Sequence, residues 1–167
     1  AAMGQGLLVD SAIRMKEAGK SIEEVAQWLE ENIPHLCHLF TVEDLKYLQR
    51  GGRISKTTAL VGTMIGIKPV LHVDDEGKLV PLAKVRGRKQ SLQALVDRME
   101  QQIGSYRDIK QSIFISHGDC EEDARYVAEL VTQRFGYEDF MISFIGPTIG
   151  SHAGPGTVAL FFMGEKR

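Results

Sequence analysis

Only two cysteines, Cys37 and Cys120, occur in 167 residues, far apart and without a CxxC spacing. That shortage argues against a disulfide framework or a zinc site and predicts two buried free thiols. No apolar run approaches the roughly 18 residues of a membrane-spanning helix, and no signal peptide opens the chain. A cytoplasmic protein without stable membrane insertion is therefore expected. Neither sign of charge dominates, since 20 Lys and Arg against 22 Asp and Glu leave a net charge of −2, which argues against nucleic acid as the main partner. P-loop and acidic metal-pair motifs are missing as well, so no cofactor and no metal are expected. What remains is an ordinary globular composition, 43% hydrophobic and 25% charged, in a chain long enough for one well-cored domain.

The chain opens on an amphipathic helix with Leu8, Ala12 and Met15 on one face, stopped at Gly19. Ser21 and Glu24 have the spacing of a capping box for a second helix, whose Ile22, Val25, Trp28 and Leu29 predict a buried face with Trp28 in the core. Leu36 to Phe40 reads as a strand, which places Cys37 and His38 on opposite faces, a poor geometry for a shared metal. Thr41 is the expected cap of a helix over Val42 to Arg50. The run Arg50-Gly51-Gly52-Arg53-Ile54-Ser55 then offers a cation-bracketed break, and a helix over Lys56 to Met64 follows.

Strands over Ile67 to Val73 and Lys78 to Val85, joined by the polar turn Asp74 to Gly77, make an antiparallel hairpin. A second basic cluster, Lys84 to Lys89, precedes a helix whose Leu92, Leu95, Val96, Met99 and Ile103 repeat at helical spacing. The last third reads as strand (Ser112 to Ser116), helix (through Val127 and Val131 to Gly136) and strand (Phe140 to Ile145). That is a βαβ unit, which demands parallel pairing, with His117 as a satisfied local histidine at a strand end. An apolar run, Val158 to Met163, closes the pattern. Six strands with intervening helices predict an α/β fold, a two-layer mixed β-sheet of about six strands with helices.

Between the last two strands lies Ile145-Gly146-Pro147-Thr148-Ile149-Gly150-Ser151-His152-Ala153-Gly154-Pro155-Gly156. Four glycines and two prolines in twelve residues predict neither helix nor strand but a stiffened loop that holds His152 in place and lets a ligand approach backbone N–H groups. Its address beyond a strand's carboxyl end is where ligands bind in such sheets. A plain connecting loop has the same composition.

Five motifs in order, Gly4-Gln5-Gly6-Leu7-Leu8-Val9, Asp44 to Ser55, Gly66-Ile67-Lys68-Pro69-Val70-Leu71, Lys84-Val85-Arg86-Gly87 and Gly146 to Gly156, resemble the signature of the DegV family, the fatty-acid-binding subunits of bacterial fatty acid kinase. The likeness runs from end to end but covers only the C-terminal, lipid-binding part of that architecture, so residues 1–167 are expected to form that domain. The family's further α/β domain would precede Gly4.

The resemblance implies a long-chain fatty acid with its tail in a tunnel of this domain and its carboxylate bound by His152, with Ser151 and Gly150 in the same loop and hydroxyls of the preceding domain. Arg53 and Arg86 correspond to cations flanking the head group and the kinase docking face. A separate ATP-dependent kinase would phosphorylate the bound acid to an acyl phosphate for phospholipid synthesis. This chain would then be a carrier with no catalytic residue of its own, and an exposed domain boundary would favour self-association.

Two other classes fit the residues. One is a phosphoryl- or carbonyl-transfer enzyme acting through His152, although no Asp or Glu stands near the loop to orient the imidazole. The other is an interaction module using Arg53 and Arg86. Which of Leu60, Met64, Ile67, Leu71, Phe114, Ile142, Phe144 and Phe161 would line a tunnel is not set by periodicity.

Overall fold

The computed structural model describes residues 2–55 and 66–167. The helix expected over Lys56 to Met64, with Leu60 and Met64, lies outside the described residues. The elements are α1 (Ala2–Glu17), α2 (Ile22–Asn32), β1 (Leu36–Thr41), α3 (Leu45–Arg50), β2 (Ile67–Val73), β3 (Leu79–Arg86), α4 (Arg88–Ile103), β4 (Ile113–His117), α5 (Glu121–Phe135), β5 (Phe140–Phe144), α6 (Pro147–Ala153) and β6 (Val158–Met163). The six strands form one mixed sheet in the order β3-β2-β1-β6-β4-β5. Only β4 and β5 pair in parallel, as the βαβ unit requires, and the other neighbours are antiparallel.

Period-2 alternation divides the strands between two faces. One face gives Cys37, Leu39, Val70, Ile113, Ile115, Val158, Leu160 and Phe162 to a core closed by Leu92, Leu95, Val96 and Met99 of α4 and Val127 and Val131 of α5. Phe40, Leu71, Phe114, Ala159 and Phe161 of the other face meet Leu7 of α1 and Leu45 and Leu48 of α3. Cys37 is thus buried on one side and His38 faces the other, so the two do not converge.

Three local expectations change. Thr41 does not cap a helix; it ends β1, fully buried, and its hydroxyl donates to the carbonyl of Pro69 at 2.7 Å. Asp44 caps α3 instead, accepting from the N–H of Lys46, because Asp44 is extended at the point where the chain has left the sheet and can reach the first turn. The capping box of Ser21 and Glu24 forms with both hydrogen bonds, 3.2 and 2.8 Å, yet α2 has no buried residue and Trp28 is only half-buried outside both cores. In α1 the residue that anchors on the sheet is Leu7, 2% exposed, rather than Leu8, Ala12 or Met15, which face sideways.

A fourth change concerns the glycine-rich stretch. Residues Pro147–Ala153 form a short helix. Pro147 stands at its first position, where the missing N–H costs nothing and the fixed φ suits a helix. Gly150 and Gly154 donate to the carbonyls of Gly146 and Gly150, at 2.9 and 2.8 Å. Gly154, at φ +84°, then ends it as only glycine does without strain.

Candidate functional site

Strand directions bring the loops of interest to one end of the sheet. The carboxyl ends of β1, β3, β4 and β5 and the amino ends of β2 and β6 share that end, since Thr41 pairs with Val158, Ile67 with Arg86, and His117 with both Val158 and Phe144. The Gly51–Arg53 turn, Arg86 and the α6 segment therefore converge, although about 100 residues of sequence separate the first from the last.

Close backbone approach fixes α6. A Cβ on Gly118 would stand 2.8 Å from the carbonyl oxygen of Gly154, and Gly118 exchanges two hydrogen bonds with the segment, donating to Thr157 at 2.8 Å and accepting from Gly156 at 2.7 Å. The ring of Tyr47, on α3, lies against Gly154, where a Cβ would come within 2.5 Å of it. The hydroxyl of Thr157, buried, is shared between the carbonyls of Ala153 and Gly154.

These contacts press His152 onto the Gly-Gly turn: a Cβ on Gly51 would overlap its Nδ1. Arg53, whose Nη1 donates to the Gly51 carbonyl at 2.7 Å, reaches the same place. His152 and Arg53 together line a pocket of about 260 Å³ that runs beneath α3 and α6 onto the sheet, over Phe40, Ala159 and Phe161, with His38, Ser116 and Thr157 the other polar residues lining it among the described residues. That volume is near the lower end of small-molecule sites, about 300–1,000 Å³.

The other expected residues stand apart from the pocket. Ser151 is exposed and its hydroxyl donates to the Thr148 carbonyl at 2.9 Å, inside its own helix. Gly150 has its N–H committed to Gly146, with open room on its Cα. Arg86 is exposed at the end of β3, at the same end of the sheet but outside the pocket lining. Its neighbour Arg88 is pinned: Nε and Nη2 donate to Asp123 at 2.8 and 2.7 Å, and Nη1 lies 3.7 Å from Glu43. Glu43 also pairs with Lys68 and packs on Gly156. Arg88, one cation of the second basic cluster, is thus a strut holding the loops together. Of the tunnel candidates in the described residues, Phe161 lines the pocket, Leu71 and Phe114 are packed in the core beside it, Ile67 is half-buried at the start of β2 outside the pocket lining, Ile142 faces the opposite side of the sheet and Phe144 is 61% exposed.

Sequence reasoning weighed His38 only as a metal ligand beside Cys37 and discounted it, without placing it in the pocket. It is 8% exposed, and burial pushes its pKa down to about 3, so it is neutral. The signal available was alternation, which puts His38 on the face of Phe40 rather than of Cys37. His117, as expected, is a buried local histidine that accepts the N–H of Cys120 at its Nδ1, 3.3 Å.

A second, larger apolar groove of about 760 Å³ lies between α1 and α2, lined by Leu8, Val9, Ala12, Ile13, Ile22 and Val25, with Gln5, Lys16 and Lys20 as its polar groups. It shares no lining residue with the pocket of His152 and Arg53, and no histidine or arginine lines it among the described residues. Among the described residues no helix is long and apolar enough to cross a membrane.

The sheet is thus that of a mixed α/β domain with a pocket and an imidazole–guanidinium pair at one of its ends. Its family is the one described as "Uncharacterised protein, DegV family", whose sequence pattern matches residues 1–165; the chain belongs to it. A DegV domain-containing protein of Clostridium perfringens is 48% identical over 167 residues, all of this chain and 57% of that protein. Among solved structures, a Thermotoga maritima protein whose structure reveals fatty acid binding function is 29% identical with a TM-score of 0.81, over 96% of this chain and 55% of that one. The fold is shared also with the Streptococcus pneumoniae fatty acid kinase B3 protein loaded with linoleic acid, at 24% identity and a TM-score of 0.84, over 94% of this chain and 54% of that one. The chain spans little more than half the length of these relatives.

Proposed function

We propose that residues 1–167 form the lipid-binding domain of a fatty-acid carrier, which holds a long-chain fatty acid by its tail in the pocket over Phe40 and Phe161 and by its carboxylate at His152. The carrier presents that carboxylate to a separate ATP-dependent kinase, which makes the acyl phosphate, and performs no chemistry itself. The observation that carries this reading is the single pocket that joins an apolar floor to the His152 and Arg53 side chains at its mouth. Fatty acid binding by the Thermotoga maritima relative supports the ligand class, and the fold shared with a fatty acid kinase B3 protein is consistent with the partner.

The energetics divide between tail and head. Each buried CH2 contributes roughly 0.8 kcal/mol, and a charge-assisted hydrogen bond to the carboxylate about 1.5–3 kcal/mol. Affinity therefore comes mainly from the tail, while His152 and Arg53 set which end of the acid faces the kinase. Ser151 and Gly150 serve the head group only by shaping α6, because their own donors are engaged within that helix.

Native mass spectrometry of the purified chain, before and after incubation with palmitate and oleate, tests the reading. One acid bound per chain is expected. Absence of any bound acid after incubation refutes it.

A further inference from the structure

The pocket contains a polar group for which a carboxylate at its mouth has no use. His38 projects from β1 into the pocket at 8% exposure, and neither Nδ1 nor Nε2 has a hydrogen-bond partner among the described residues. Its surroundings are tightly built. Gly4 of α1 packs so near that a Cβ there would come within 2.5 Å of Nε2, and Phe161 meets the ring edge-on, with centroids 5.4 Å apart and planes at 69°. A neutral imidazole always carries one donor and one acceptor, and apolar surroundings that leave both unpaired are costly. Nothing in the packing calls for that cost. The positions beside His38 on this face, Leu36, Phe40, Phe161 and Met163, are filled with apolar side chains.

Position along the pocket narrows the partner. Thr41 pairs with Val158 and His38 with Phe161, so His38 stands three residues, or about 10 Å, from the sheet end at which the His152 segment enters β6. An acyl chain with its carboxylate at His152 passes His38 part-way along its length. Burial keeps the ring neutral at ordinary pH, so a second carboxylate would find no cation there. A hydroxyl both donates and accepts and therefore suits either tautomer.

We propose that His38 is a specificity residue that hydrogen-bonds an oxygen carried in the middle of the acyl chain, so that the pocket prefers a long-chain hydroxy fatty acid to the plain acid of the same length. This rests on the fatty-acid reading given above. Isothermal titration calorimetry of the chain with stearic acid and with a stearic acid hydroxylated at a mid-chain carbon tests it, alongside His38→Phe and His38→Gln.

The hydroxylated acid should bind the native chain about tenfold more tightly, the gain of one buried hydrogen bond. His38→Phe should erase the preference, and His38→Gln, which keeps a donor and an acceptor, should retain it. Equal affinities on the native chain, as a trapped water satisfying His38 under either ligand would give, overturn the proposal without use of any variant. So does a preference that survives in a folded His38→Phe. If stearate binds without preference, only the role of His38 falls; if neither acid binds, the fatty-acid reading falls with it.

Discussion

The two faces of the sheet are built from the same strands and end up doing different things. On one, α4 and α5, of 16 and 15 residues, lay continuous apolar stripes over Leu39, Ile115, Leu160 and Phe162, and the interface is closed. On the other, the covering helices α3 and α6 have only 6 and 7 residues, α1 turns Gly4 and Gly6 toward the sheet, and the strands supply His38 and Ser116 among the aromatics. Long helices with large side chains make a core. Two short helices, and a long one that meets the sheet through Gly4 and Gly6, leave a pocket with polar residues on its floor.

The largest effect that tests this contrast is a cavity cut into the closed face. Leu95 is fully buried beneath α4, and Leu95→Ala should lose about 2–5 kcal/mol of stability in a denaturant titration, with no change in the ratio of affinities for different fatty acids. A loss under 1 kcal/mol would mean that this face is not the rigid half of the molecule.

On the open face the same kind of truncation should act on the ligand. His152→Ala should weaken fatty acid binding by about 1.5–3 kcal/mol while moving stability by no more than about 0.5 kcal/mol. Gly51→Ala reaches the same imidazole from the other side. Gly51 has φ −78°, open to alanine, so the only obstacle to a methyl group is the ring of His152. Binding that drops in Gly51→Ala in the native chain but falls no further when Gly51→Ala is added to His152→Ala would locate the effect in that contact; an undiminished affinity in the single variant would remove His152 from the head-group site.

Acid should also tell the faces apart. The pKa of His38 is about 3 in the folded chain, mainly through burial, against about 6.5 for a free histidine. The unfolded chain therefore binds more protons between these values, so the stability tied to a neutral His38 is complete above about pH 6.5 and declines as pH falls toward 3, by about 1.4 kcal/mol per unit. Comparing the native chain with His38→Phe by chemical denaturation at pH 6 and pH 5 isolates that slope, which should be missing from the variant. Equal slopes would mean that His38 is not held neutral by the pocket.

Much of this was legible in the residues because it depends on short-range periods. The apolar runs of β1 and β6, the helical spacing of α4, and the strand–helix–strand unit ending at Phe144 are local patterns that packing then obeys. The site was legible as an address, since a glycine-rich segment beyond a parallel strand is where a ligand is met. Its geometry was not. That Gly51 lies against His152 depends on a sheet order that no local pattern encodes, and that residues 147–153 coil into a helix depends on Pro147 and on Tyr47, from another element, packing at Gly154. The place of His38 in the pocket was not legible for the same reason: its face follows from alternation, but its surroundings are set by Gly4 and Phe161, 34 and 123 residues away.

The smallest expected effect on the chain itself is at Arg86, and there the contrast is between neighbours. Arg86 and Arg88 belong to one basic run, yet Arg88 is tied to Asp123 and Glu43 while Arg86 is exposed at the end of β3 beyond the pocket mouth. Arg88→Glu should put a carboxylate against two others and destabilise the fold measurably. Arg86→Glu should leave stability within about 0.5 kcal/mol and leave fatty acid affinity as it was, because no part of the tail or head-group site changes. If Arg86 meets the kinase, the same variant should lower acyl-phosphate formation in a coupled assay with a fatty acid kinase subunit, and the loss should shrink as salt screens the native pair. Full turnover in Arg86→Glu at low salt would place the docking face elsewhere on the molecule.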